Sequence, residues 1–270
     1  MADTSAALGL RQWRRPPFIK NPRLRWCLWI GVAVYLALAL GTMEVNWSRV
    51  FEGLPRGQRF IASFFPPDFI TRWASIYDGI YESLWMTVTS TVVGVAISIP
   101  VGLGAARNLA PVPVYLACRA IVAVSRTFPE IILAIFFVKI FGFGPFAGFL
   151  ALSIATVGFY GKLLAEDIES MDPAQAEAVR ATGAGWFQWL NYSVQPQVMP
   201  RMIGLALYRL DINFRESAVV GIVGGGGIGA TLLTAFDRYE FESAAAILLV
   251  IIAIVMAVEY SSSWIRGKVK

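Results

Sequence analysis

In "SRTFPE", Arg126 and Glu130 stand four residues apart on either side of a proline. In "YRLDINFRES", Arg209, Asp211, Arg215 and Glu216 crowd a second apolar stretch. An ionisable side chain in lipid costs at least ~2.5 kcal/mol, so such groups face a partner or a water-filled cavity. Asp211 and Arg215 form an i,i+4 pair with the acid first, the favourable order on a helix. Two readings of these charges stand side by side. One is mutual neutralisation that lets a helix bundle assemble. The other is a path in which Arg126 and Arg215 attract an anion, with Glu130 and Glu216 orienting them. The planar fork of a guanidinium suits phosphate or phosphonate oxygens. Lys139 reads instead as lying near the outer surface.

A third segment, "GIVGGGGIGATLL", imitates nucleotide-binding motifs. Gly224, Gly226 and Gly229 match the dinucleotide fingerprint letter by letter, and Gly224 to Thr231 matches a phosphate-binding loop with Ala230 in place of its lysine. No βαβ pattern surrounds the segment, and without the lysine no charge meets the phosphates. Gly224, Gly225, Gly226 and Gly227 therefore read either as a tight packing site at the outer end of a membrane helix or as a flexible outer gate. The chain has no histidine. That removes Ser-His and Cys-His catalysis, HExxH zinc chemistry and histidine proton relays. Cys27 and Cys118 read as small apolar residues in or beside membrane helices.

The elements that carry these residues are set by composition. Of 270 residues, 57% are hydrophobic and 15% charged, against about 25% charged in a soluble domain. Stretches of low charge cover Cys27–Met43, Ser83–Ala106, Ile140–Gly161, Ser217–Phe236 and Ser243–Val258. A helix needs about 20 apolar residues to span the hydrocarbon. A further helix, broken near Pro129, fits between Val112 and Val138. The expectation is all-α and polytopic, with six transmembrane helices at about 24–43, 80–106, 113–141, 145–169, 201–225 and 242–265. Arg11, Arg14, Arg15, Lys20, Arg23 and Arg25 crowd one tail, and Arg266, Lys268 and Lys270 the other. Basic residues stay inside, so both termini read as cytoplasmic, and the first helix reads as retained rather than cleaved. The chain divides into a basic tail (1–23), a first helix with an outer amphipathic segment (24–79), a main membrane domain (80–265) and a short tail (266–270). Residues 44–79 then lie outside and 170–196 inside.

The segment at 170–196 is too polar to cross lipid. Asp172 is an N-cap and Pro173 a first helical residue. "AQAEAVRAT" continues the helix, Gly183 and Gly185 break it, and "WFQWL" adds a bulky apolar face ahead of Pro196. A short helix–turn–helix of this kind presents Gly183 to something that approaches closely, and it holds no catalytic set.

Its spacing resembles the cytoplasmic EAA loop of ABC importer permeases, EAA-x3-G-x9-I-x-L-P. Glu177, Ala178, Gly183 and Pro196 match; Val179, Ser193 and Gln195 depart at packing positions. With "GKLLAEDIESMDPAQAEAVRATGA", "SRTFPEIILAIFFVKIFGFGPFAGFLAL" and "FRESAVVGIVGGGGIG", the chain resembles the phosphonate/phosphate-type ABC importer permeases over about residues 80–265. The resemblance implies a MetI-like fold with a cytoplasmic coupling helix in a bacterial inner membrane. It implies partners too: a second permease copy in a homodimer, two ABC ATPase subunits docked at the EAA loops, and an extracytoplasmic substrate-binding protein. ATP and Mg would be bound by the ATPase and no cofactor by this chain. Membrane lipid is an expected partner and nucleic acid is not. The cargo implied is phosphonate, phosphate or a related phosphorus oxyanion. An ABC permease for methionine or a quaternary amine is the alternative. A secondary transporter would show inverted repeats, which are not seen, and an embedded enzyme would need a convergent catalytic set.

Overall fold

A computed structural model describes residues 19, 21–43 and 46–269 of the chain. Arg11, Arg14, Arg15, Lys20 and Lys270 lie outside the described residues, as do the side chains of Arg266 and Lys268. Secondary structure within the described residues is helical: α1 (Pro22–Thr42), α2 (Trp47–Ala62), α3 (Trp73–Ala105), α4 (Val112–Thr127), α5 (Glu130–Phe141), α6 (Pro145–Glu169), α7 (Pro173–Ala181), α8 (Trp186–Trp189), α9 (Gln195–Val220), α10 (Gly227–Asp237) and α11 (Phe241–Val269). Two wide π turns, Leu190–Val194 and Gly221–Gly225, lead into and out of α9. The chain divides into two compact units after Arg59.

In the first unit, Asn21 caps α1 by accepting the Arg23 backbone N–H at 3.1 Å, with Pro22 at the first helical position. Cys27 on this helix is exposed rather than buried. In α2, Trp47, Val50, Phe51 and Leu54 recur at helical spacing, and Arg49, Glu52 and Arg56 take the opposite face. That is the pattern of a helix lying in a membrane interface.

In the second unit, α3 and α6 form the central pair, and α6 is buried along most of its length. Small residues make this possible. A side chain at Gly94 would run into Thr156 and the Ser153 carbonyl, and one at Gly102 would run into Leu164. Helices in lipid gain little from apolar burial against one another, so close van der Waals contact through small residues has to hold them. Three apolar clusters follow the axis: Met86, Ala134, Leu152 and Val220 in one, Tyr160, Leu164, Ile168, Ala176 and Trp189 at the α7 end, and Ile76, Ile228, Leu232 and Ile247 at the opposite end.

Four helices, α1, α3, α6 and the Phe241–Trp264 part of α11, are long and apolar enough to cross a membrane. Two bent pairs complete the set: α4 with α5 at 89°, and the run Trp186–Gly225 with α10 at 56°; counting each pair as one crossing gives six. The bounds of α6 coincide with the expected 145–169. Three differences have physical causes. α3 begins at Trp73, ahead of residue 80, because "WASIYDGI" continues the helical period through its polar residues. The break near Pro129 is nearly a right angle: Phe128 and Pro129 are both extended, as the residue before a proline and a proline outside a helix tend to be. The helix expected to end at 225 instead unwinds and restarts as α10, because Gly224, Gly226 and Gly227 adopt φ of +99°, +77° and +73°. Residues other than glycine pay a steric cost there.

Candidate functional site

Within the crossing helices, polar side chains gather where α3, α5, α6 and α9 meet. Arg209 is 3% exposed. Its Nε donates to Thr156 Oγ1 at 3.0 Å, and its Nη2 reaches Glu130 Oε1 at 3.5 Å. Asn213, one turn on, donates from Nδ2 to Thr91 Oγ1 at 2.9 Å and to Thr156 Oγ1 at 3.0 Å. The Arg209 guanidinium also lies 5.4 Å from the Phe159 ring centre. Arg215 pairs with Asp211, which is buried and leaves its Oδ1 without a partner among the described residues. Glu216 is partly buried and within electrostatic reach of Glu130, Arg209 and Arg215. Unpaired charge is expensive at this depth, so the groups are arranged as pairs and hydrogen-bonded chains.

The sequence-derived candidates separate into two kinds of surroundings. Glu130 meets Arg209 on α9, not Arg126 across the proline, because the right-angle bend turns α5 away from α4. Arg126 is exposed, with its aliphatic part against Gly158. Arg215 is exposed along about half of its side chain (48%), while its partner Asp211 is not (5%). Lys139 is exposed in the last turn of α5. Arg209 and Asn213 carry the buried network without having been singled out as site residues. An asparagine amid apolar helix sequence was the available signal. Thr91 and Thr156 gave none, since threonine is ordinary in such helices.

The glycine segment is held at both flanks. Gly144 N–H donates to Gly224 O at 3.0 Å, Gly227 N–H to the Glu82 carboxylate at 2.9 Å, and Ile228 N–H to Ser83 Oγ at 2.9 Å. These bonds satisfy backbone groups that unwinding exposes inside a membrane protein. A side chain on Gly226 would strike Pro145, and one on Gly229 the Ala218 carbonyl. The segment is thus tightly packed as observed.

Residues 170–196 form a polar, largely exposed segment. Asp172 Oδ1 accepts the Ala174 N–H at 3.0 Å and starts α7. The helix ends at Thr182, and Gly183 turns the chain at φ +78° with open space around it. Trp189 is buried beneath α7, donating to Ala176 O at 3.0 Å, and the Arg180 guanidinium stacks 4.1 Å from its ring centre. The outer face is a concave surface of about 590 Å³ lined by Ala178, Val179, Thr182, Gly183, Gln188 and Tyr192. Glu177 and Pro196 are exposed and lie outside that lining. A rigid scaffold carrying an open, shallow concavity suits a protein partner better than a small molecule. Among the described residues, no group of His, Cys, Asp or Glu side chains converges as metal ligands.

Comparison with known proteins adds the following. Residues 98–269 match the family described as binding-protein-dependent transport system inner membrane components. The chain is 42% identical over 267 residues to the phosphate-import permease protein PhnE of Mycolicibacterium smegmatis, covering 97% of the chain and 50% of that relative. It is 38% identical over 241 residues to the phosphite transport system permease protein PtxC of Stutzerimonas stutzeri, covering 89% of the chain and 86% of that relative. The chain therefore spans about half the length of the first relative and most of the second. Among solved structures, it is similar to a chain of the inward-facing MetNI methionine ABC transporter, with a TM-score of 0.64 and 25% identity over 72% of this chain and 96% of that one.

Proposed function

From the premise that this chain belongs to the family of binding-protein-dependent transport system inner membrane components, we propose that it is the permease subunit of an ABC importer for phosphate, phosphite, phosphonate or a related phosphorus oxyanion. The names of the phosphate and phosphite relatives support that cargo. The methionine reading has weaker support, since the likeness to the methionine transporter is at 25% identity.

In this reading α7, Gly183 and α8 form the coupling element on the cytoplasmic side, and both termini are cytoplasmic. A cytoplasmic ATPase seats against the concavity around Ala178, Thr182 and Gly183, with Glu177 and Pro196 flanking it. The observation that carries the proposal is this exposed, internally braced concavity at one end of the helix bundle. Two copies of the chain assemble with two ATPase subunits, and a binding protein delivers the anion at the opposite end. ATP and Mg are held by the ATPase, and coupling is mechanical: ATP-driven closure moves the two coupling elements and shifts the helices between access states. Arg126 and Arg215, two of the exposed cations on the crossing helices, meet the anion on its way. The glycine segment at 224–227 serves as the outer gate that lets α10 move against α3.

The experiment is ATP hydrolysis by the reconstituted complex, challenged with binding protein carrying inorganic phosphate, phosphite or methylphosphonate. Stimulation by at least one of these supports the reading. Stimulation only by methionine-loaded binding protein would transfer it to the alternative.

A further inference from the structure

The last turn of α6 is tied to more of the molecule than its length requires. Glu169, its final residue, accepts the Arg107 backbone N–H at 2.8 Å and the Arg119 Nη2 at 2.8 Å through the same carboxylate oxygen. The Arg119 Nε donates to Ala105 O at 2.9 Å, so one guanidinium joins the end of α3 to the end of α6. Asn108 Nδ2 adds a bond to Ile168 O at 2.9 Å. The corner where α3 turns into α4 is thereby clasped to Ile168 and Glu169 by both side-chain and backbone bonds. Ala105, Ala106 and Ile168 beneath it are essentially buried and share an apolar cluster with Ala176 of α7 and Trp189 of α8.

The geometry around this clasp is directional. Ser170 and Met171 alone separate Glu169 from Asp172, the N-cap of α7. That short link, together with the packing of Ala176 beside Ile168, ties α7 to the last turn of α6. Arg119 lies on α4, and Arg126 lies seven residues further along the same helix, about 10 Å at the helical rise. A second, separate bridge joins Asp167 to Arg201 of α9 at 3.0 Å. The end of α6 therefore grips α4 through Glu169 and α9 through Asp167.

We infer that Glu169 is a positioning residue: held by Arg119 and the Arg107 backbone, it passes movement of the α7–α8 segment to α4 and so to Arg126. The inference rests on the coupling reading of residues 173–196. Glu169 is not part of the docking concavity and touches no partner in this account. Its effect is on the ratio of transport to hydrolysis, not on ATPase binding. The Coulomb pair alone is partly exposed and contributes little to stability, so the clasp matters for where α4 goes rather than for whether the bundle folds.

The test uses the full permease assembled with its ATPase and phosphate-loaded binding protein in proteoliposomes. Glu169→Gln, Arg119→Gln and the double variant are compared for retained ATPase subunit, ATP hydrolysis and phosphate uptake. The expected result is retained ATPase and continued hydrolysis, with uptake per ATP reduced about tenfold, a coupling loss of the usual allosteric size. The double variant should lose no more than either single one, because both remove the same contact. Arg119→Lys keeps the cation but cannot hold Glu169 and Ala105 O together. It should give an intermediate ratio, and it reports the same quantity where a neutral variant fails to assemble. Unchanged uptake per ATP in either single variant, multiplicative losses in the double, or loss of the ATPase subunit from the complex would each overturn the inference. The coupling reading fails separately: Gly183→Asp would then keep both ATPase subunit and uptake.

Discussion

Two of the regions where polar side chains gather treat them in opposite ways. Between the crossing helices, Arg209 and Asn213 donate to the Thr91 and Thr156 hydroxyls, which in turn donate to carbonyls of their own helices. In the 170–196 segment, polar groups satisfy the local backbone, as Asp172 does for Ala174, and leave a surface open around Gly183. The first arrangement is what lipid demands of a polar group. The second is possible only where water, or a partner, can cover the rest. The contrast separates residues that hold the bundle from residues that serve something outside it.

The largest expected effect breaks the buried side. Arg209→Met removes a buried cation from Thr156 and from the partly exposed Glu130, and should lower stability by ~3 kcal/mol, the low end of the cost of breaking a buried pair. Thermal unfolding of the detergent-solubilised protein measures this. A loss under ~1 kcal/mol would mean that the network is solvated and not structural.

Next comes the mixed pair. Arg215→Ala strands the buried Asp211 and should cost ~1–3 kcal/mol. The further change Asp211→Asn should recover most of it, while uptake stays impaired if Arg215 also meets the anion. Recovery of both stability and uptake would leave Arg215 a purely structural cation. Arg126→Ala sharpens the comparison from the open side. As an exposed residue it should change stability by no more than ~0.5 kcal/mol, yet lower phosphate uptake in assembled, hydrolysing complex. Unchanged uptake would remove Arg126 from the path.

The smallest effect lies at the end opposite α7. There Arg72 pairs with Glu240, Asp68 N–H donates to Glu242 O at 3.1 Å, and the rings of Phe60, Phe64, Phe236 and Phe241 cluster. The hydrogen bond from Arg72 holds the Glu240 carboxyl below the usual carboxylate range. A depressed folded pKa contributes stability above the unfolded value, and this is lost as pH falls through the folded one. Wild type should therefore exceed Glu240→Gln in melting temperature at neutral pH, with the gap closing below the ordinary carboxylate pKa of 4.5. A gap that is constant with pH would mean the pair adds nothing through its charge.

How much of this was legible in the sequence follows from the range of each signal. The ends of α6 were readable because Gly144–Pro145 and the Ser170–Pro173 stretch are local punctuation. The Pro129 break was readable as a break, but its angle is set by what α5 packs against. The glycines were ambiguous because the same run permits close packing and left-handed turns. The structure uses both, and α10 follows from the second. The Glu130–Arg209 pair joins residues 79 positions apart, beyond any helical-spacing argument. At 170–196 the cap, turn and aromatic residues are all local, so the shape of that segment was the most accessible part of the candidate site.

The central claim is that this segment receives the force of ATP hydrolysis performed by another chain. Its most direct test is the purified importer carrying Gly183→Asp. The position is exposed with open space around it, so the bundle itself has room for the substitution. Its positive φ of +78° makes any side chain moderately strained, though aspartate tolerates it better than most. The account predicts that the permease still folds and inserts but loses its ATPase subunit and its phosphate-stimulated hydrolysis together. Gly183→Asp complexes that keep the ATPase and hydrolyse ATP at the wild-type stimulated rate would contradict it.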